Sequence, residues 1–256
     1  MNLIKSEFYK LKVSKSFSLC LFVSAGLALF IAFALKMGVA GRGAEDFAAI
    51  AETISAVTFI ELTLGLGFLP TIFAIFVSLF TAGEFHNGTM KNYVSRGFNR
   101  VQIYLSKLNV CGIAILTMLA VYILVSCTVG SLLWGFDPYS IATFSNIAIM
   151  LLGIGLLMLA YSSIFVFISM WLRNIGAAVA VNVGMVFLLS SVLMAINNII
   201  GDSLTVSDYW LTDNITALAS LSPENGIFQR GMIVGLYYLV GSTVLGCILF
   251  KTQDII

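Results

Sequence analysis

Apolar positions in this chain gather into six runs of about 20 residues, separated by shorter polar segments. A helix needs about 20 residues to cross a hydrocarbon core of ~30 Å. Lipid offers backbone amides no hydrogen bonds, so each run is expected to be helical. The alternation of a membrane barrel is missing. The spans read as about 17–35, 62–82, 108–134, 146–171, 177–196 and 232–250. Pro70 lies inside the second and predicts a kink there. Ahead of the first, MNLIKSEFYKLKVSKS sets Leu3, Ile4, Phe8 and Leu11 at helical spacing, with Lys5, Lys10, Lys12 and Lys15 elsewhere on the wheel. That pattern predicts a helix over 1–16 in the headgroup layer, apolar face down and lysines toward anionic lipid. A basic leader that only sets orientation is the plainer reading. Segment 197–230 holds Leu204, Tyr209, Trp210, Leu211, Leu218, Leu221 and Pro223, which suits either short interfacial or re-entrant helices or a polar loop. The expectation is an all-α, polytopic membrane protein with one membrane domain over 1–256.

Composition agrees: 60% of residues are hydrophobic and 10% charged, where a soluble domain is roughly half apolar and a quarter charged. The net charge of +1 conceals an asymmetry. With the N-terminus taken as cytoplasmic, the inside segments carry Lys5, Lys10, Lys12, Lys15, Lys91, Arg96, Arg100, Lys107, Arg173 and Lys251, ten of the 13 basic residues. Outside lie Lys36, Arg42 and Arg230, facing the acids Glu45, Asp46, Glu52, Glu61, Asp137, Asp202, Asp208, Asp213 and Glu224. Basic residues set topology, so six spans put both termini in the cytoplasm. The first run is read as a retained span, because no convincing small-residue cleavage site follows it. Cys20, Cys111, Cys127 and Cys247 all sit inside apolar runs and are expected to be unpaired.

The spans hold almost no ionisable group. Glu61, at the outer edge of the second, is the one candidate, and an interface residue reaching water is its simpler reading. Hydroxyls such as Ser162, Ser163, Ser190 and Ser191 can bond back to their own helices. None of the eight lysines follows a glycine, so there is no phosphate-cradling P-loop. One histidine, His86, cannot build a metal site with buried cysteines. The chain is therefore expected to be no enzyme by itself, with no catalytic, cofactor-binding or metal residues and no nucleic-acid partner. Gly231 and Gly235, four apart, allow close helix approach. Asn87-Gly88-Thr89 matches a glycosylation sequon but falls on the expected cytoplasmic side.

The segment 83–107 is the longest basic stretch between spans. In AGEFHNGTMKNYVSRGFNRVQIYLSKL, charges and amides alternate with Phe85, Tyr93, Val94, Phe98, Ile103 and Tyr104. A solvated loop needs no such anchors, whereas a surface that docks a partner does. An interfacial helix facing lipid is the alternative. The run GEFHNGTMKNYVSRGFNRVQIYLSK resembles the cytoplasmic loop of bacterial ATP-binding-cassette type-2 export permeases. MNLIKSEFYKLKVSKSF is similar to that family's N-terminal elbow helix. The resemblance implies a single permease domain with 1–16 as elbow helix, 83–107 as coupling loop and 197–230 extracellular. It implies two permease subunits, identical or different, and two copies of a cytosolic ATPase that binds the ATP and Mg. It assigns ATPase coupling to Glu84, Phe85, Asn87, Gly88, Thr89, Lys91, Asn92, Ser95, Arg96, Gly97 and Arg100, with a smaller contact at Arg173 and Asn174. Relatives of this size resemble peptide exporters and bacteriocin-immunity permeases, including lantibiotic self-protection systems and the phenol-soluble modulin exporters of staphylococci. Others move drugs, lipids or polysaccharide. The expected role is thus export of amphipathic antimicrobial or cytolytic peptides, or similar hydrophobic cargo, across a bacterial plasma membrane. An ion-coupled secondary transporter and a non-transporting, peptide-sequestering immunity protein stand as alternatives.

Overall fold

The computed structural model describes residues 3–40, 55–135, 141–200, 206–219 and 226–252, and no strand occurs among them. The outer acids Glu45, Asp46, Glu52, Asp137, Asp202 and Glu224, and Pro223, lie outside the described residues. The helices are α1 (Leu3–Val13), α2 (Lys15–Ala40), α3 (Ala56–Gly65), α4 (Leu69–His86), α5 (Thr89–Ser95), α6 (Arg100–Trp134), α7 (Ile141–Leu172), α8 (Ile175–Gly184), α9 (Ser190–Ile200), α10 (Leu211–Leu218) and α11 (Ile227–Thr252). A π-helical turn, Met185–Leu189, joins α8 to α9. Six stretches are long and apolar enough to cross a membrane: Lys15–Gly38, Leu69–His86, Arg100–Trp134, Ile147–Leu172, Ile175–Ile199 and Ile227–Thr252. This is a multi-pass, all-helical membrane protein.

The second run differs from the expected single kinked helix. It breaks at residues 66–68, where Gly67 adopts φ 67°, and Pro70 stands in the first turn of α4. A proline there forfeits only an N–H that would have no helical partner, so it starts a helix rather than bending one. The third helix begins earlier than the apolar run, because the Asn99 side chain accepts a hydrogen bond from the Val101 N–H at 3.1 Å and caps it. At 35 residues α6 is about 52 Å long, well beyond the ~30 Å of a hydrocarbon core.

The bundle's interior is filled by α4, α6 and α7, with Phe73, Phe76, Tyr104, Ile115, Tyr122, Tyr161 and Phe165 fully buried. The glycine pair performs as its spacing suggests. A Cβ on Gly235 would stand 3.2 Å from the Leu156 side chain of α7, and one on Gly231 would stand 2.8 Å from Leu218 of α10. Small residues thus let α11 close on its neighbours. By contrast α2 and α11 turn large apolar side chains outward, Phe22, Phe30 and Phe33 on one and Ile233, Tyr237 and Val244 on the other. Where described, the segment between α9 and α11 is largely helical, with a 3₁₀ turn at Val206–Tyr209 ahead of α10. Trp210 donates its indole N–H to Ser190 at 3.1 Å, and Arg230 pairs with Asp208 at 2.6 Å. Ser190 and Ser191 also bond back to Val186 and Phe187 carbonyls. All four cysteines are free thiols, two of them, Cys20 and Cys111, buried.

Candidate functional site

One end of the bundle holds a buried charged cluster. There α1, the last turn of α4, α5 and the first turns of α6 converge on four charged side chains and a phenol. Glu7 shares the buried face of α1 with Leu11, one helical turn on. One of its carboxylate oxygens accepts from the Lys107 ammonium of α6, and the other from the Tyr93 hydroxyl of α5. Lys107 also stands 2.8 Å from Glu84 at the end of α4. Lys10 closes the ring, 2.9 Å from Glu84 and 3.4 Å from Glu7. The ammoniums of Lys107 and Lys10 each lie 4.4 Å over an aromatic ring, Phe80 and Tyr93 respectively.

Two carboxylates and two ammoniums make the cluster neutral, which is what its burial demands. Glu7 and Lys107 are each 1% exposed at the side chain, and an isolated charge so placed would be prohibitively costly. Burial by itself would push the Glu7 carboxyl upward. The Lys107 charge and the hydrogen bonds from Lys107 and Tyr93 outweigh it and hold Glu7 below its ordinary 4.5. Burial likewise works to lower Lys10, yet the Glu84 and Glu7 carboxylates and the Tyr93 hydrogen bond hold it above its ordinary 10.5. Burial, with the Glu7 carboxylate, raises Tyr93 above 10.0. Tyr93 therefore stays a neutral donor and Glu7 a charged acceptor across the neutral range. Such a ring fixes four helices in one mutual arrangement.

The residues assigned to coupling divide into two groups. Glu84 is 8% exposed and faces this ring; its second oxygen has no hydrogen-bond partner among the described residues. Phe85 is half-buried against Phe250, ring centres 6.5 Å apart. The Thr89 hydroxyl donates to the Glu84 carbonyl at 3.1 Å. Gly88 (φ 67°) and Gly97 (φ 79°) make the turns on either side of α5, at a φ that L side chains rarely adopt. Asn87, Asn92, Ser95 and Arg96 are exposed, and Lys91 sits on α5 with its side chain outside the described residues. Arg100 donates to the Lys251 carbonyl at 3.3 Å, tying the start of α6 to the end of α11. Arg173 (φ 56°) places its guanidinium 5.8 Å over the Phe85 ring, and the Asn174 side chain caps α8 by accepting from the Ala177 N–H at 3.2 Å. The two segments assigned to coupling, far apart in sequence, thus meet at Phe85.

Glu7, Lys10, Lys107 and Tyr93 were not among the residues singled out for a site. The near-absence of buried charge in the spans needs correction at one point, since Glu84 and Lys107 belong to the apolar helices Leu69–His86 and Arg100–Trp134. A sequence signal exists for two of these four, Lys107 and Glu7. Lys107 occupies the register of Ile103, Tyr104, Val110 and Cys111, all buried, and Glu7 is the one acid in a helix otherwise carrying lysines. Among the described residues no group of histidine, cysteine and acidic side chains is arranged to hold a metal.

The family model of the ABC-2 family transporter protein matches residues 3–196, about three quarters of the chain, and the chain belongs to that family. No match is found among curated proteins. The matched range takes in all five members of the ring. Membership makes the chain a membrane component of an ABC transporter, and it implies an ATPase partner and a dimeric permease assembly.

Proposed function

We propose that this protein is the permease subunit of an ATP-driven exporter of the bacterial plasma membrane, moving amphipathic antimicrobial or cytolytic peptides or similarly hydrophobic cargo. Both termini and the end of the bundle that holds the charged cluster are cytoplasmic, as the segregation of lysine and arginine supports. Two permeases stand side by side and each takes one ATPase chain, which binds the ATP and Mg. The observation that carries this reading is the construction of α5. Its exposed Asn92, Ser95 and Arg96 are free to meet a partner, while its Tyr93 is bonded inward to Glu7. A push on α5 is then delivered through Glu7 to α1, through Lys107 to α6 and through Glu84 to α4, without rebuilding a covalent path. Arg173 stacked on Phe85 passes the same displacement to the turn between α7 and α8. The apolar faces of α2 and α11 suit a cargo that travels along the lipid boundary or between subunits.

Reconstitution of the permease with its ATPase in liposomes, with a fluorescent amphipathic helical peptide as cargo, tests this. Transport should require hydrolysable ATP, vanish with a hydrolysis-deficient motor, and persist when ion gradients are collapsed. Movement that ignores ATP and stops with an uncoupler would support ion coupling instead, and peptide retained by the permease without movement would support sequestration.

A further inference from the structure

A groove of about 750 Å³ runs between α1 and the first three turns of α6. Leu3, Ile4, Phe8, Phe98 and Leu105 give it apolar walls, and Lys5 stands at its rim. The volume lies within the 300–1,000 Å³ common for bound small molecules. From Gln102 to Asn109 the groove follows α6 for about 10 Å at 1.5 Å per residue. No carboxylate lines it. The ring described above explains that imbalance. Glu7 and Glu84 are each consumed by Lys10 and Lys107, which leaves Lys5 with no ion-pair partner among the described residues.

We propose that this groove is a binding site for an anionic phospholipid of the leaflet at the end that holds the charged cluster, one acyl chain lying along Leu105 and Phe8 and the headgroup phosphate on Lys5. An apolar channel suits an acyl chain, and an ammonium with no ion-pair partner among the described residues selects a net-negative headgroup over a zwitterionic one. The site is separate from the ATPase-facing tip of α5, so it stands or falls independently of the transport reading.

The test uses the full chain in detergent, titrated with phosphatidylglycerol or phosphatidylcholine and read by native mass spectrometry. The wild type should retain phosphatidylglycerol at least fivefold better than phosphatidylcholine. Lys5→Glu should erase that preference while Lys12→Glu, exposed on the same helix but not lining the groove, keeps it. Asn109→Trp, at an exposed position inside the groove, should reduce retention of both lipids. Equal loss of preference in the two lysine variants would reduce the effect to general surface charge and overturn the site. Undiminished binding in Asn109→Trp, in protein whose melting temperature is unchanged, would overturn it as well.

Discussion

Replacing Lys107 by methionine removes the more deeply buried of the two ammoniums that bridge Glu7 and Glu84. Glu7 then keeps Tyr93 and a 3.4 Å contact to Lys10, while Glu84 keeps only Lys10. Two negative charges are left sharing one positive charge in a site that solvent barely reaches. Breaking a buried ion pair by deleting one partner costs about 3–5 kcal/mol. At roughly 2–4 °C per kcal/mol for a chain of this size, the melting temperature should fall by about 10 °C. Glu7→Gln alone should cost about 2 kcal/mol, because Lys107 retains Glu84 at 2.8 Å. The double variant Glu7→Gln/Lys107→Met leaves Lys10 facing Glu84, a balanced pair. It should cost about 2–3 kcal/mol, well under the sum of the singles, with a coupling of at least ~2 kcal/mol. Buried Cys20 and Cys111 supply the assay: a thiol-reactive dye in detergent reports unfolding as these groups become accessible. Additivity of the two single effects to within ~0.5 kcal/mol would refute the idea that the ring acts as one unit.

Three further outcomes follow from the same geometry. Tyr93→Phe removes a hydrogen bond to a charged group, worth about 1.5–3 kcal/mol, and should lower both the melting temperature and ATP-driven transport while ATPase capture persists. Stability should be flat across neutral pH: Glu7 is held below 4.5 when folded, so its contribution is complete above that value and is lost as pH falls through the folded one, a drop that melting curves between pH 7 and 3 would place below pH 4.5. Gly246→Ala should destabilise by about 1–3 kcal/mol, because a Cβ there overlaps the Tyr104 phenol; Tyr104→Leu in the same chain should recover much of the loss, as thermal melts would show.

The membrane architecture was legible because hydrocarbon thickness imposes a length on apolar runs, and the chain's six runs have that length. Helix ends were less so. Asn99 extends α6 a full two turns before its apolar run, since a side-chain cap and the burial of Ile103 and Tyr104 decide the boundary rather than hydropathy. Pro70 was placed in the right helix but given the wrong effect, because the break at Gly67 precedes it. The loop from α4 to α6 carried the resemblance to the family whose model matches residues 3–196. Its inward half was not legible, since Glu84 reads as one more polar residue until Lys10 and Lys107 are seen on either side of it. Those partners are 74 residues away on α1 in one direction and on α6, beyond α5, in the other. Periodicity within one helix locates a buried charge, as Lys107 illustrates, but only the tertiary arrangement names its counter-ion.

If an ATPase seats on the exposed tip of α5, capture of the full chain from its native membrane in mild detergent should bring it down. Mass spectrometry should find an ABC ATPase in stoichiometric amount with the wild type. Arg96→Glu, exposed and outside the buried ring, should lose that ATPase with no change in melting temperature. Retention of the ATPase by Arg96→Glu combined with Asn92→Asp and Ser95→Asp would contradict the docking surface. Absence of any ATPase from the wild type, under conditions that preserve another ABC complex from the same membranes, would contradict the assignment of the chain as half of a motor-driven transporter.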